Sequence, residues 1–311
     1  MRLNRENYDR ARSFVAAHGR PLEEARLRVV FDGAPAAEVW HALKSFQNPD
    51  GGFGHGMEPD LQAPESSALA TTVALQVVRE TRGATGQSPP DDLIAPAIGY
   101  LLETLNPQTA TWRIIPRSAD AAPHAPWWSQ AGSEAKFAAW SLNPTAECVG
   151  YLHEYPDQVP AELLVALSET VLTHLVQQDR LEMHDFLCCK RWAETPGLDA
   201  RLRARLLGEL GRLLDGIVCR DPTAWPDYVL RPVQVAESPS SPFYPALREI
   251  IPANLDWEIE QQHPEGAWLP NWDWGDLSPE VWARARLEWA GWITTGKLIV
   301  FKHYDRIASP L

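Results

Sequence analysis

The chain has 311 residues, of which 45% are hydrophobic and 22% are charged, and no apolar run approaches the ~18 residues that a membrane span requires. Its formal net charge of −13 repels phosphate backbones and anionic lipid surfaces, which argues against a nucleic-acid partner. The charged N-terminal segment has neither the apolar stretch nor the cleavage site of a secretory signal, so we expect a cytoplasmic protein.

Helical periodicity dominates along the whole chain, and alternation typical of strands is scarce. Several helix starts carry capping or first-turn residues, such as Asn143 before Pro144 and Ser278 before Pro279. Proline-rich loops are expected at 113–143 and 219–246. The sequence predicts an all-α protein with helices over residues 4–17, 21–31, 36–47, 66–82, 91–105, 144–155, 160–178, 185–194, 198–217, 246–262 and 278–300.

The corners between these helices resemble one another. Each ends a helix with an amide or an acid, commonly adds proline, and places an aromatic residue a few positions later. The segments are FQNPDGGFG (46–54), LNPQTATW (105–112), VQQDRLEMHDF (176–186), CRDPTAWPDY (219–228) and QQHPEGAW (261–268). Because one helix pair cannot bury its own apolar face, repeated pairs of this kind predict a stacked array that closes into a ring of inner and outer helices.

The segments Gln47–Phe53 and Gln262–Trp268 resemble the Gln/aromatic corner repeats of the terpenoid cyclase and protein prenyltransferase superfamily. This resemblance covers five short segments of the chain. It implies an α/α toroid, a single domain over 1–311, in which outer helices lead into inner helices around a central cavity. It also implies an enzyme that binds an apolar, isoprenoid-like ligand, although one fold can host unrelated chemistries.

In such a ring all turns from outer to inner helices lie at one end, where the inner helices point their unpaired N–H groups. We therefore expect residues far apart in sequence to form a ligand-binding site at that end. The predicted binding residues are Trp112, Arg113, Asn143, Glu147, His184, Asp185, Asp227, Tyr228, Trp272 and Trp274.

Two acidic loops supply the candidate catalytic residues, which are His55, Glu58 and Asp60 in HGMEPD and Asp273 and Asp276 in NWDWGD. Neighbouring carboxylates and surroundings of low polarity give the ionisable groups of a site different pKa values. One group can then act as an acid and another as a base. The alternative is that the carboxylates cap the following helices. We predict that His55, Glu58 and Asp60 face a central cavity together with Asp273 or Asp276.

No metal and no cofactor are expected. The four cysteines have no C-x-x-C spacing, and the spacing from Asp185 to Cys188 differs from the D-x-C pattern of the prenyltransferase zinc site. The D-x-D-D acid motif of cyclases and the D-D-x-x-D metal motif are both absent. Cys188 and Cys189 are interpreted as buried core thiols.

Three functions remain open, and the oligomeric state is not predicted. The first is a toroid enzyme acting on an isoprenoid or another apolar small molecule. The second is a carbohydrate-active enzyme, in which two carboxylates about 5 to 9.5 Å apart flank a glycosidic bond and tryptophans stack on sugars. The third is a binding module without catalysis.

Overall fold

The computed structural model describes residues 1–308, which form helices joined by turns and long loops. Within these residues no strand forms, and β-type pairing is confined to isolated bridges. No helix in this range combines the length and the apolar character needed to cross a membrane. The all-α prediction is confirmed.

Every predicted helix is present, with ends shifted by a few residues. The helices are α1 (Arg5–His18), α2 (Pro21–Asp32), α3 (Ala37–Lys44), α4 (Ala68–Thr85), α5 (Asp91–Thr104), α6 (Glu134–Ala138), α7 (Leu142–Glu154), α8 (Ala161–Val176), α9 (Met183–Ala193), α10 (Ala200–Ile217), α11 (Pro232–Val235), α12 (Tyr244–Leu247), α13 (Ile251–Glu260) and α14 (Pro279–His303). The helix predicted over 246–262 is split into α12 and α13, since Pro252 has no N–H to continue a helix from the preceding turn. The short helices α6 and α11 lie inside the two predicted loops.

The chain divides into two compact units, and the first comprises residues 1–42, 84–86 and 218–311. In this unit α14 packs against α1 and α2, and α11 packs against α13. Phe14, Ala267 and Ala290 form a small apolar cluster. The two ends of the described chain meet here, because Leu3 forms a parallel bridge with Ile307.

The second unit comprises residues 43–83 and 87–217. Helix α7 packs against α8 and α9, and α10 packs against the same two helices. The loop after residue 113 is anchored by its own apolar cluster, which is formed by Leu61, Ala63, Ile115, Ala119 and Phe137. A single domain over 1–311 stays a prediction.

The first corner ties the end of α3 to the next two helices. Gln47 Nε2 donates to the Gly51 carbonyl oxygen and to that of Leu93 in α5, each at 2.9 Å. Gly51 has φ 87°, and a Cβ at this position would lie 2.2 Å from the carbonyl oxygen of Pro96 in α5. The Phe53 amide donates to Thr71 Oγ1 in α4 at 3.0 Å.

The last corner makes the same set of contacts inside the first unit. Gln262 Nε2 donates to the Gly266 carbonyl oxygen at 2.7 Å and to that of Asn7 in α1 at 2.8 Å. Gly266 has φ 102°, and the Trp268 amide donates to Thr294 Oγ1 in α14 at 3.0 Å. Helix α1 therefore stands beside this corner as α5 stands beside the first.

The second corner preserves part of this pattern with different residues. Trp112 Nε1 donates to the Leu101 carbonyl oxygen at 2.6 Å, as Trp268 Nε1 donates to that of Glu258 at 2.6 Å. Ala110 takes a left-handed conformation with φ 53° where the other two corners have glycine. The aromatic residue thus keeps its structural role although the glycine is lost.

Candidate functional site: a polar cluster on α4, α7 and α9

Polar side chains follow one face of α7 and the facing side of α9 in the second unit. Their spacing of three or four residues places each set on one side of its helix. Helix α7 contributes Asn143, Glu147, Tyr151 and Glu154, and α9 contributes Asp185, Cys188 and Arg191. We call these residues, together with Gln76 and Arg79 of α4, the polar cluster.

Glu147 is the centre of the polar cluster and is only 2% exposed. Its Oε1 accepts hydrogen bonds from Gln76 Nε2 at 2.9 Å and from the Tyr151 hydroxyl at 3.0 Å. Its Oε2 accepts one from Arg191 at 3.0 Å, and the Cys188 thiol lies 3.5 Å away. A buried carboxylate is tolerated when it is paired and hydrogen-bonded in this way.

Arg79 connects the three helices one turn further along. Its guanidinium donates to Glu154 of α7 at 2.6 and 2.9 Å and to the Arg191 carbonyl oxygen of α9 at 2.8 Å. It also lies over the Tyr151 ring, 4.6 Å from the centroid. Arg82 pairs with the same Glu154 carboxylate. The polar cluster therefore fixes the position of α4 relative to α7 and α9.

Two side chains that contact Glu147 remain neutral. Burial, reinforced by the charge of Glu147, raises the pKa of the Cys188 thiol well above its usual value. The pKa of Tyr151 is raised for the same two reasons. A thiol that stays protonated is a poor nucleophile, so Cys188 serves as a small buried residue.

Asp185 lies in the first turn of α9, at the edge of the polar cluster, and is half-buried. Its Oδ1 accepts hydrogen bonds from the Asn143 amide at 2.9 Å and from the Ser141 hydroxyl at 3.5 Å. Among residues 1–308 no hydrogen bond reaches Oδ2. Burial raises the pKa of Asp185, and the Asn143 amide opposes this by stabilising the charged form. A carboxyl with one oxygen held by hydrogen bonds and the other without a hydrogen bond is suited to proton transfer.

The polar cluster brings together three predicted binding residues, which are Asn143, Glu147 and Asp185. His184 precedes Asp185 and is exposed. The prediction missed Gln76, Arg79, Tyr151 and Arg191, which hold Glu147 and Glu154 in place. Their signal in the sequence is the placement of charged or amide side chains inside helices whose other residues are mostly apolar.

The loop HGMEPD belongs to the second unit. His55 is exposed, adopts φ 54° and lies 2.8 Å from Asn48 Oδ1 through its Nε2. Glu58 and Asp60 are buried, and the Asp60 carbonyl oxygen accepts the Ala125 amide at 2.8 Å. The loop thus packs beneath the long segment that follows residue 113.

Trp112 and Arg113 form hydrogen bonds within the protein that hold a corner and a loop in place. Trp112 is buried and makes the corner hydrogen bond described above. Arg113 donates to the Ile115 carbonyl oxygen at 3.0 Å and also bonds Gln130 Oε1. These bonds hold the beginning and the middle of the 113–143 loop together.

The remaining predicted residues lie in the first unit. Tyr228, which is 54% exposed, meets Trp272 edge to face with 5.7 Å between ring centroids. The Asp227 carbonyl oxygen accepts a hydrogen bond from Asn271 Nδ2 at 3.0 Å, so the corner at 219–228 and the NWDWGD loop are neighbours. Trp274 is buried and stacks on another tryptophan.

Asp273 and Asp276 are both exposed, and Asp273 Oδ1 accepts the Gly275 amide at 2.7 Å. These carboxylates and the HGMEPD loop belong to different compact units. Their predicted meeting around one cavity stays a prediction.

Within residues 1–308 no group of three or more His, Cys, Asp or Glu side chains is placed to hold a metal ion. The thiol of Cys188 lies between Asn143 Oδ1 and Glu147 Oε2, each 3.5 Å away. These contacts are those of a weak hydrogen-bond donor.

The raised pKa of Asp185 predicts a pH-dependent effect of Asp185→Asn. The folded-state pKa lies above the unfolded value of about 3.9, so the ionised carboxyl weakens the fold as pH rises through the folded-state pKa. We expect the stability of Asp185→Asn, relative to that of the wild type, to increase as the pH is raised from about 3.5 to about 7. Urea unfolding midpoints at the two pH values measure this difference.

Asp199→Asn is the matched control with the opposite sign. Hydrogen bonds from the backbone amides of Leu202 and Arg201 hold the pKa of Asp199 below its usual value. Its stabilising contribution is present above the unfolded pKa and is lost as pH falls, so Asp199→Asn should become relatively less stable as pH rises. Equal pH profiles for the two variants would contradict the prediction.

The comparisons with known proteins give no family for this chain. No protein-family model matches it, and no curated protein or solved structure does either. What the polar cluster does has to be argued from its own residues.

Proposed function

We propose that this protein is an α/α-toroid enzyme, similar to the terpenoid cyclase and prenyltransferase superfamily, that binds an apolar, isoprenoid-like small molecule beside the polar cluster. In this proposal Asp185 donates a proton to the ligand. The observation that carries the proposal is the shared hydrogen-bond pattern of the corners at Gln47–Phe53 and Gln262–Trp268.

The partners of the two corners support a closed ring. In the first corner the glutamine bonds α5, which follows α4 along the chain. In the proposed ring α4 would be an inner helix and α5 an outer one. After α14 no further helix follows among the described residues, and the last corner bonds α1 instead. A ring needs its first helix to take the place of the one after its last, which is the role that α1 would fill.

Asp185 has the surroundings of a proton donor. Burial favours the protonated carboxyl before transfer, and the Asn143 amide stabilises the carboxylate that remains afterwards. Transfer of the Oδ2 proton to a carbon–carbon double bond would leave a carbocation on the ligand and a carboxylate on the protein. The same carboxylate can then accept the proton that the cation loses.

Ligand binding tests the proposal directly. Native mass spectrometry of the purified protein, and thermal unfolding with isoprenoid alcohols of increasing chain length, should identify an apolar ligand that raises the unfolding temperature. Asp185→Asn should still bind this ligand but should not convert it, as followed by gas chromatography. Conversion by Asp185→Asn at the wild-type rate would remove Asp185 from the mechanism.

The half-buried polar groups Gln76, Arg79 and Arg191 favour a second candidate, a carbohydrate-active enzyme. Gln76 and Arg79 lie on α4 and Arg191 lies on α9, and polar side chains on neighbouring helices suit a ligand with many hydroxyl groups. Neutral oligosaccharides tested in the same unfolding assay separate the two candidates. Stabilisation by oligosaccharides alone would favour the second, and binding without conversion of either class would indicate a binding module.

A further inference from the structure

A second buried carboxylate, Glu258 of α13, lies in the first unit between two cations. It is 2% exposed. Its Oε1 accepts a hydrogen bond from Arg231 Nε at 2.9 Å, and its Oε2 lies 2.5 Å from Lys297 Nζ of α14. One carboxylate therefore faces two positive side chains.

This arrangement has a surplus positive charge in a largely buried place. The side chains of Arg231 and Lys297 are 14% and 12% exposed. Within residues 1–308 neither forms an ion pair with any other carboxylate. Burial lowers the pKa of Lys297, and the nearby Arg231 lowers it further, against the attraction of Glu258. An uncompensated charge of this kind is costly unless an anion joins it.

The two cations also retain hydrogen-bond donors. An ammonium group has three donors, and in the described part of the chain Lys297 uses one of them on Glu258. Arg231 uses Nε on Glu258 and Nη1 on the Trp225 carbonyl oxygen at 3.2 Å, and its guanidinium lies 5.4 Å from the Trp257 ring centroid. Its other terminal nitrogen makes no hydrogen bond within residues 1–308.

The side of α14 around Lys297 is apolar. Trp289, Ile293, Gly296 and Val300 are half-buried and recur at helical spacing on the same side of the helix. A ligand at Lys297 would therefore meet a charged point on an apolar surface.

We propose that Lys297 and Arg231 bind the anionic head, a carboxylate or a phosphate, of a small molecule whose apolar body lies along this side of α14. Glu258 orients the two cations and neutralises one of them, which leaves one charge for the ligand. This site goes beyond the proposed function, because it lies in the first unit, whereas the polar cluster with Asp185 lies in the second.

Lys297→Met separates a binding role from a structural one. Removing Lys297 leaves Glu258 paired with Arg231, so the remaining charges balance. A binding role predicts that the ligand-free variant unfolds at the wild-type temperature or above it. A purely structural role predicts a lower unfolding temperature, because a buried ion pair would be lost.

The probes are decanoate, decyl phosphate and decanol, titrated calorimetrically below the concentrations at which they form micelles. We expect decanoate or decyl phosphate to bind the wild type at least about tenfold more tightly than decanol. The decanoate and decyl phosphate titrations show which head group is preferred. Lys297→Met should lose this difference, and Lys297→Arg should keep it. Arg286→Met, which removes an exposed cation from the same helix, is the matched control.

Equal binding of all three probes by the wild type would overturn the anion site and leave the apolar ligand of the proposed function standing. Unchanged decanoate binding by Lys297→Met would overturn it as well. Failure of every probe to bind would overturn the anion site, and the proposed function would still be decided by its own ligand screen. Loss of turnover in Asp185→Asn with undiminished decanoate binding would keep the anion site and the proton donor as separate functions.

Discussion

Replacing Glu147 with alanine is expected to destabilise the protein by about 3 kcal/mol, the scale for removing one partner of a buried ion pair. The substitution takes away the acceptor for Gln76, Tyr151 and Arg191 at once. It leaves these donors in a cavity where water replaces the carboxylate poorly. Urea unfolding followed by tryptophan fluorescence measures the change.

Glu169→Ala is the control for loss of a glutamate as such. Glu169 pairs with Arg205 at the surface, where both side chains are more than half exposed, so its loss should change stability far less than the loss of Glu147. Glu147→Gln should fall between the two, since the amide oxygen still accepts hydrogen bonds from Gln76 and Tyr151. A Glu147→Ala effect as small as that of Glu169→Ala would mean that the polar cluster does not hold the three helices together.

The corners were predictable because their requirements are local. A left-handed glycine, a glutamine that reaches a neighbouring helix and an aromatic residue leave a recognisable order in the sequence. Gln47 and Gln262 could therefore be matched without knowledge of their partners. Gln47 bonds Leu93 of α5 and Gln262 bonds Asn7 of α1. These partners depend on how the helices pack, and the sequence alone did not predict them.

The polar cluster was only partly predictable for the same reason. Asn143, Glu147 and Asp185 were selected because they lie near helix starts, where a ring would gather its ligand groups. Gln76 and Arg79 lie inside α4. They belong to the cluster only because they contact carboxylates of α7, which are about 70 residues away along the chain. Pairing of this kind is set by helix register, and one unaligned sequence does not specify it.

The surroundings of the HGMEPD loop were not predictable from the sequence. Glu58 and Asp60 were selected because they lie with His55 on a loop constrained by glycine and proline, and the structure shows that both are buried. Their burial depends on the segment after residue 113, whose apolar side chains Ile115, Ala119 and Phe137 pack against Leu61 and Ala63. A long loop with its own small core covers the loop before it, and periodicity alone does not predict this.

Gly266→Ala is expected to destabilise the protein by about 3 kcal/mol or more. Gly266 has φ 102°, and a Cβ there would lie 2.5 Å from the carbonyl oxygen and 2.6 Å from the carbonyl carbon of Arg10. Backbone strain of about 1 to 2 kcal/mol adds to overpacking against a main chain that has little freedom to move. Gly275→Ala is the matched control, because Gly275 is also left-handed but has no atom within 4 Å of the added Cβ. Gly275→Ala should therefore be destabilised by the backbone strain alone.

The location of the damage tests the role given to α1. Because the clash is with Arg10, hydrogen exchange of Gly266→Ala should accelerate across α1 (Arg5–His18), far in sequence from the substitution. If residues 261–268 were only a local turn, exchange would rise near residue 266 and α1 would stay protected. Faster exchange in α1, with no comparable change in Gly275→Ala, would mean that the last corner holds the first helix in place, as the closure of a helical ring requires.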